Sequence, residues 1–196
     1  MRAPNAITVV LLALGVMSAG CTGTEGSKGP YDPEGTPARD EARAVALVEQ
    51  ASAAMPGDPD RAEELLREAL AADLFHAKAH NNLGVLLLAK DDLYGAAHEF
   101  EWARKLLPGH PEPRVNLAIT LERAGQVLEA EASYTSALEV YPGYMPALQG
   151  AARLAVGEGR RPAALLAWLD AIALGGESLV WRDWARVKSA ELGRAR

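Results

Sequence analysis

Residues 81–108 read NNLGVLLLAKDDLYGAAHEFEWARKLLP, and the spacing of their apolar residues predicts two helices joined by a short turn. Gly84 lies inside the first apolar run, where a glycine costs a helix about 1 kcal/mol relative to alanine. After Asp91, a second apolar series at i, i+4, i+7 and i+11 consists of Ala96, Phe100, Ala103 and Leu107. Pro108 is expected to end this second helix.

The same pattern recurs along the chain at intervals of 34 residues, without an insertion. Small residues recur at Gly84, Ala118 and Ala152, and again at Ala62, Ala96, Ala130 and Ala164. Large apolar residues recur at Leu66, Phe100, Tyr134 and Trp168, and alanines at Ala69, Ala103, Ala137 and Ala171. Turn residues recur at Gly57, Asp91, Gly125 and Gly159. These registers predict a series of helical hairpins and little or no β-sheet.

Close helix packing is the expected reason for Gly84, because helix axes approach to about 8–10 Å and the side chains at the contact set that distance. The small residues predicted to face each other are Gly84, Ala118 and Ala152 on the first helices and Ala96, Ala130 and Ala164 on the second. The bulky series is then expected to pack beside them. A leucine in place of Gly84 is predicted to overpack the hairpin.

A close resemblance to the tetratricopeptide repeat (TPR) is carried by Leu83, Gly84, Leu87, Ala96, Phe100, Ala103 and Pro108. The resemblance covers units at about 43–76, 77–110, 111–144 and 145–178, and residues 178–192 resemble the C-terminal capping helix of that family. It implies a TPR domain over residues 38–192, with an all-α, right-handed solenoid of helix-turn-helix units. The first helices of such units line a concave groove.

By this resemblance, five positions of each unit face the groove. These positions are Lys78, Asn81, Asn82, Val85 and Leu88, then Glu112, Val115, Asn116, Ile119 and Glu122, then Pro146, Gln149, Gly150, Arg153 and Val156. Asn82 and Asn116 lie 34 residues apart, and an asparagine amide can both donate to and accept from an extended peptide backbone. They are predicted to bind a ligand, or else to satisfy neighbouring helix ends or simply to face water. The groove offers only two basic residues, which disfavours a clamp for a C-terminal carboxylate.

The C-terminal stretch SLVWRDWARVKSAELGRAR contains two tryptophans with different expected environments. Val180, Trp184 and Val187 share one helical face and are expected to cover the last repeat. Trp181 lies off that face. It is interpreted either as an exposed binding anchor or as part of a cap with imperfect amphipathicity.

Composition and charge argue against several classes of function. The chain of 196 residues has a formal net charge of −6, so nucleic-acid binding is not expected. One cysteine permits neither an intramolecular disulfide nor a cysteine-based zinc cluster. The four histidines are His76, His80, His98 and His110, and they form no metal-binding motif; no nucleophile elbow or phosphate-binding loop occurs. No catalytic residue, metal or cofactor is predicted, and the chain is not expected to be an enzyme.

The N-terminal sequence MRAPNAITVVLLALGVMSAGC is typical of an export signal over residues 1–20. Its apolar core is shorter than the roughly 20 residues that span a bilayer. The small residues before Cys21 resemble a bacterial lipoprotein signal, which implies lipidation of Cys21, although Ser18 departs from the apolar residue usual there. An ordinary cleaved signal with an incidental cysteine is the alternative. Residues 21–37 are predicted to be the lipidated cysteine and a flexible linker.

These features together predict a non-enzymatic TPR lipoprotein that binds a protein or peptide segment at the bacterial cell envelope. By resemblance to enteric lipoproteins, Thr22 after the cysteine implies the outer membrane, facing the periplasm. Similar lipoproteins imply a role in pilus, secretin or cell-wall assembly. A soluble periplasmic adaptor and a regulatory subunit of an envelope enzyme are the alternatives, and the chain is expected to be a monomer or a weak dimer.

Overall fold

A computed structural model describes residues 39–194, and within these residues the chain forms nine α-helices and no β-strand. In chain order the helices are α1 (Glu41–Ala54), α2 (Pro59–Ala72), α3 (Ala77–Ala89), α4 (Leu93–Leu106), α5 (Glu112–Arg123), α6 (Val127–Val140), α7 (Met145–Gly157), α8 (Leu165–Gly175) and α9 (Leu179–Arg194). The predicted signal, Cys21 and the predicted linker lie outside the described residues.

The helices contact mainly their near neighbours in the sequence. Each helix packs against the next one, and α1, α3, α5 and α7 also contact one another in succession. A chain whose units touch only adjacent units is a solenoid of helical repeats. The predicted all-α solenoid is therefore confirmed.

Capping residues and prolines set the limits of the second helices. Asp58 Oδ1 accepts a hydrogen bond from the backbone N–H of Arg61 at 3.0 Å. In the same way, Asp92 Oδ1 accepts from the backbone N–H of Gly95 at 2.9 Å. At the other end, α4 and α6 stop two residues before Pro108 and Pro142. A proline disfavours the helical conformation at the residue before it, so these helices end where the sequence predicts.

The turn inside each of the last three hairpins requires a left-handed backbone. The residues with positive φ are Asp91 at 64°, Gly125 at 76° and Gly159 at 65°. Glycine adopts this conformation without strain, and aspartate tolerates it better than most residues. The predicted turn positions are confirmed.

The buried core follows the predicted series through the first three units. Phe100 and Tyr134 are almost completely buried, and alanines fill the positions around them. A β-carbon at Gly84 would lie 2.7 Å from Cε1 of Phe100. The closest approach at Gly84 is thus to the aromatic ring of Phe100, as expected if the bulky series packs beside the small residues, and the contact with Ala96 stays a prediction.

The fourth unit departs from the 34-residue register. The residues predicted to be buried in α8 were Ala164, Trp168 and Ala171, whereas the structure buries Leu165, Leu169 and Ile172, one position later. Arg161 corresponds to Val127, the first residue of α6, yet α8 begins only at Leu165. Because Pro162 disfavours a helical Arg161, the first turn of this helix is lost.

The environments expected for the C-terminal helix are also partly wrong. Trp181 is only 6% exposed and packs edge-on against Trp184, with ring centroids 5.3 Å apart. Val180, expected to cover the last repeat, is 62% exposed. Trp181 therefore belongs to the core of the cap and is not an exposed anchor.

Candidate peptide-binding groove

The predicted groove residues lie on α3, α5 and α7, three helices that contact one another in succession. We call the face that carries these residues the groove. Its buried members are Asn81, Asn82, Leu88, Val115, Asn116, Ile119 and Gly150. Its half-buried members are Lys78, Val85, Glu112, Glu122, Pro146, Gln149, Arg153 and Val156. The structure thus brings all of these residues to one series of helices, but about half of them are covered.

The asparagines connect neighbouring helices. Asn116 Nδ2 donates to Asn81 Oδ1 at 3.1 Å, which joins α5 to α3 through two fully buried side chains. Asn82 Nδ2 donates to Ser52 Oγ at 3.3 Å, which joins α3 to α1. Ser52 itself donates to the carbonyl of Val48, so the serine oxygen is the acceptor toward Asn82. Both bonds are structural, and ligand contact by these asparagines stays a prediction.

Two buried amide atoms on α3 have no hydrogen-bond partner among residues 39–194: Asn82 Oδ1, an acceptor, and Asn81 Nδ2, a donor. Buried polar atoms are almost always hydrogen-bonded, and each exception needs an explanation. An acceptor and a donor on adjacent residues match what a peptide group offers.

Ion pairing neutralises the far end of the groove. Both terminal nitrogens of Arg153 donate to the carboxylate of Glu122, each at 2.5 Å. The hydrogen bonds that Arg153 donates to Glu122 raise the pKa of Arg153 above its ordinary value. Tyr134 donates to the same carboxylate at 3.3 Å, and burial raises the pKa of its hydroxyl. Arg153 is therefore committed to Glu122, and Lys78 is the groove cation that forms no ion pair within the described part of the chain.

Histidines and carboxylates near the groove have structural partners. His76 Nδ1 accepts from the backbone N–H of Ala79 at 3.2 Å and so caps α3. The buried ring of His80 contacts Glu99 Oε2 at 2.6 Å and the carbonyl of Leu74 at 2.8 Å. These two contacts join the His80 ring on α3 to α4 and to the turn that precedes α3.

Burial acts to raise the pKa of Glu99, but hydrogen bonds and charge from His80 and His98 outweigh it and hold that pKa below its usual value. No group of three or more His, Cys, Asp or Glu side chains suited to a metal ion occurs between residues 39 and 194. In the same range, none of the helices has the length and hydropathy needed to span a bilayer.

Two features of this surface escape sequence reasoning. Ser52 lies on α1, in the first unit, and nothing in the spacing of the repeat indicates its hydrogen bond with Asn82. The pairing of Glu122 with Arg153 spans 31 residues. This separation is three residues short of one 34-residue period, so the two residues lie on adjacent first helices. That is the one indication in the sequence that their opposite charges could meet.

The stacked hairpins and the face that their first helices form define a helical-repeat scaffold of the kind that binds other polypeptides. More specifically, the chain belongs to the Protein kinase G tetratricopeptide repeat family, whose sequence profile matches residues 24–196. The predicted TPR assignment is confirmed, whereas the lipoprotein type stays a prediction. No curated protein sequence matches the chain.

Several solved structures share the fold. The first TPR of Spaghetti (RPAP3), bound to the HSP90 peptide SRMEEVD, is 16% identical with a TM-score of 0.59, over 61% of this chain and 96% of that one. MamA is 20% identical with a TM-score of 0.58, over 79% and 83% of the two chains. A mutant O-GlcNAc transferase of Thermobaculum terrenum is 28% identical with a TM-score of 0.61 over 70% of this chain. This chain spans only 27% of that transferase.

Proposed function

We propose that this chain is a non-enzymatic TPR scaffold that binds an extended segment of a partner protein along α3, α5 and α7. The observation that carries the proposal is that one amide atom of each adjacent asparagine on α3, Asn81 Nδ2 and Asn82 Oδ1, has no hydrogen-bond partner among the described residues. Asn82 is held by a single long bond to Ser52, and its Oδ1 has no donor among the described residues. A rotation of this side chain toward the groove lets Oδ1 accept from a peptide N–H, whatever the peptide side chains are.

The charge of the groove supports recognition of backbone rather than of an acidic tail. Glu122 neutralises Arg153, and Glu112 is a further acidic residue, so Lys78 is left as an isolated cation. The Spaghetti TPR is bound to SRMEEVD, a peptide with three acidic residues. A groove with one available cation does not complement such a peptide, and we infer a segment with little net charge.

Attachment to the envelope is part of the same proposal and rests on the N-terminal sequence. Cleavage before Cys21 and lipidation of its thiol tether the TPR domain to a membrane through residues 22–37, with the outer membrane, facing the periplasm, as the proposed location. The proposed role is assistance in pilus, secretin or cell-wall assembly, with the groove holding a segment of an assembly component.

Site-specific crosslinking in the native host tests the groove. The photoreactive residue p-benzoylphenylalanine replaces Gln149 on α7, and a matched control carries it at exposed Glu68 on α2. A component of a pilus, secretin or cell-wall machine crosslinked from position 149 and not from position 68 supports the proposal. Crosslinks to cytosolic proteins alone, or equal yields at both positions, contradict it.

A substitution of Asn82 links the crosslink to the unpaired amide. Asn82→Ala is expected to lower the crosslink yield at position 149 at least fivefold, because the acceptor for the peptide N–H is lost. The circular dichroism spectrum is the control for folding. An unchanged yield in a folded variant contradicts the role of the amide.

Fractionation tests the anchor separately. The full chain is expected in the membrane fraction, and Cys21→Ala is expected in the soluble periplasmic fraction. A Cys21→Ala variant that remains in the membrane fraction contradicts lipid anchoring.

A second candidate is a substrate-presenting or regulatory subunit of an enzyme on another chain. The observation that favours it is the likeness to the Thermobaculum transferase, in which a region similar to this chain forms part of an enzyme. Copurification with a transferase or kinase whose rate changes on addition of this chain supports this alternative, and turnover by the purified chain alone contradicts both candidates.

A further inference from the structure

A cleft between α4, α5 and α6 lies on a different face from the groove. It has a volume of about 500 Å³, within the range of about 300–1,000 Å³ usual for ligand pockets. On α5 it is lined by Arg114, Leu117 and Leu121. These residues are spaced at i, i+3 and i+7, so they share one side of the helix, whereas Asn116 and Ile119 point elsewhere.

The floor of the cleft is apolar and its rim is aromatic at one end. Leu117, Leu121 and Ala97 supply apolar surface, and the ring of Tyr94 is 86% exposed beside them. An exposed aromatic next to an apolar recess is a feature of peptide-binding surfaces, because it contributes contact area at low entropic cost.

Arg114 is a partly buried cation without a carboxylate partner among residues 39–194. Its Nε donates to Ser136 Oγ at 3.0 Å and its Nη1 donates to the carbonyl of His110 at 2.9 Å. Both acceptors are neutral. Burial, followed by the positive charge of Arg104, lowers the pKa of Arg114. A charge that is desolvated and repelled in this way gains most from an added anion.

Arg104 adds a second donor to the same cleft. Its Nη2 pairs with Glu101 Oε2 at 2.7 Å, while its buried Nε has no hydrogen-bond partner in the described part of the chain. Glu101 and Glu129 also line the cleft, so the charges of its two arginines and two glutamates cancel. Arg104 is paired with Glu101, which leaves Arg114 as the arginine of the cleft that no carboxylate of residues 39–194 pairs with. A singly charged carboxylate fits this balance, whereas a phosphate with two charges would be repelled by the glutamates.

We propose that the α4–α6 cleft is a second binding site, for a partner segment in which Asp or Glu is adjacent to an apolar residue. The carboxylate accepts hydrogen bonds from Arg114 and Arg104, and the apolar side chain packs on Leu117 and Leu121. A scaffold with this site and the groove binds two different segments on two faces at the same time.

Titration by NMR with a defined probe tests the site. The probe is Ac-Gly-Glu-Leu-Phe-Gly-NH2, and its matched control has Gln in place of Glu. With the full chain, the probe is expected to shift the amides of Leu121 and Ser133 and the Nε–H of Arg114, and to bind at least tenfold more tightly than the control. Groove residues Asn82 and Gln149 report on the other site.

Variants separate the charge of Arg114 from its effect on folding. Ala132→Glu, at an exposed position in the cleft, is expected to abolish binding, because the new carboxylate pairs with the arginines and competes with the carboxylate of the probe. Arg114→Lys keeps the charge but loses the planar array of donors, so it is expected to weaken binding less than Ala132→Glu does. Arg186→Gln on α9 removes one exposed cation elsewhere and is expected to change nothing.

Three results would overturn the proposal. Shifts confined to Asn82 and Gln149 would place the probe in the groove, which leaves the proposed function intact but removes the second site. Equal affinity for the two probes would show that the carboxylate is not recognised. Concentration-dependent shifts of the cleft amides without any probe, or nuclear Overhauser contacts to residues 22–37, would show that the cleft is occupied by a second copy or by this chain itself.

Discussion

At the scale of single residues, the closest packing in the second unit is between Gly84 and the ring of Phe100. A β-carbon at position 84 would lie 2.7 to 3.0 Å from three ring atoms. Gly84→Ala improves the helix propensity of α3 by about 1 kcal/mol. The clash with a fully buried ring is expected to outweigh that gain, for a net loss of about 1–3 kcal/mol in the free energy of unfolding.

Urea denaturation of four variants checks this prediction: Gly84→Ala, Phe100→Leu, the double variant and Gly157→Ala. Phe100→Leu removes the ring atoms, so the double variant with Gly84→Ala is expected to be more stable than the sum of the single effects predicts. Gly157→Ala is the matched control, because no atom lies within 4 Å of its added methyl group. A Gly84→Ala protein as stable as the wild type would contradict the ring packing.

His76 gives the stability of α3 a dependence on pH. Its Nδ1 accepts the capping hydrogen bond from Ala79 only when the ring is neutral, and burial lowers the pKa of His76 below its ordinary 6.5. When the pKa of a histidine is lower in the folded state than in the unfolded state, the fold is stabilised at pH values above the pKa of the unfolded state. This stabilisation is lost as the pH falls.

The predicted loss is about 0.5–1 kcal/mol, the worth of a helix cap, between pH 7.5 and pH 5. His76→Asn keeps a capping acceptor that does not titrate, and it leaves the pair of His80 and Glu99 in place. Unfolding free energies of the two proteins are therefore compared at each pH. A difference that stays constant over this range would contradict the cap.

At the scale of helices, what can be predicted from sequence depends on whether a position is repeated. Gly125 recurs with the other turn residues and Pro142 with Pro108, and both mark helix limits correctly. Pro162 interrupts the 34-residue repeat, because a proline there prevents α8 from beginning at the position equivalent to the start of α6. A strict 34-residue count then assigns the buried face of α8 one residue too early.

The C-terminal helix shows the same limit. Helical periodicity orients α9 only by the positions of its own apolar residues. Because α9 has few apolar residues, two of its faces are about equally apolar. The packing against α8 selects the face that buries Trp181 and Trp184 together. The candidate site is affected more strongly, because hydrogen bonds such as Asn116 to Asn81 depend on side-chain directions that no spacing rule contains.

Adjacent substitutions on α9 test that orientation. Trp181→Ala removes a buried ring and is expected to lower the free energy of unfolding by about 3–5 kcal/mol. Val180→Ala changes an exposed neighbour and is expected to stay within about 0.5 kcal/mol of the wild type. Thermal unfolding followed by circular dichroism distinguishes the two, and a reversed order would restore the exposed-anchor interpretation.

Helix α6 lacks a side-chain N-cap, and adding one is expected to stabilise the protein. Asp58 and Asp92 cap α2 and α4, but Gln126 at the corresponding position forms no side-chain capping bond. The backbone of Gln126, at φ −87° and ψ 70°, resembles that of Asp92 at −79° and 79°. Gln126→Asp is therefore expected to add about 0.5–1 kcal/mol, whereas Gln126→Ala changes little. A melting temperature that does not rise would contradict the equivalence of these positions.

At the scale of the whole molecule, a solenoid is held together by interfaces between successive units rather than by one central core. The groove therefore contributes to stability as well as to the proposed binding. The pair of Glu122 on α5 and Arg153 on α7 crosses one such interface, with side chains that are 22% and 25% exposed. Its two hydrogen bonds between charged groups are stronger than those of a surface ion pair.

Loss of one partner is expected to uncouple the C-terminal hairpin from the rest. Arg153→Met leaves the Glu122 carboxylate partly buried without its cation, which costs about 1.5–3 kcal/mol. Because α7 to α9 then unfold at lower urea than α1 to α6, the transition is expected to broaden. Three of the four tryptophans, Trp168, Trp181 and Trp184, lie at this end, and Trp102 lies on α4. Fluorescence is therefore weighted toward this end, whereas circular dichroism reports on all helices, so the two midpoints should separate.

A double variant and a surface control decide whether the pair is the cause. Adding Glu122→Gln to Arg153→Met removes the stranded charge and is expected to recover part of the stability and to bring the two midpoints together. Arg61→Met breaks the exposed pair with Glu64, whose side chains are 50% and 67% exposed, and is expected to have little effect. If Arg153→Met and Arg61→Met gave the same single transition, the units would be coupled by apolar packing alone, and the groove charges would be free to meet a ligand.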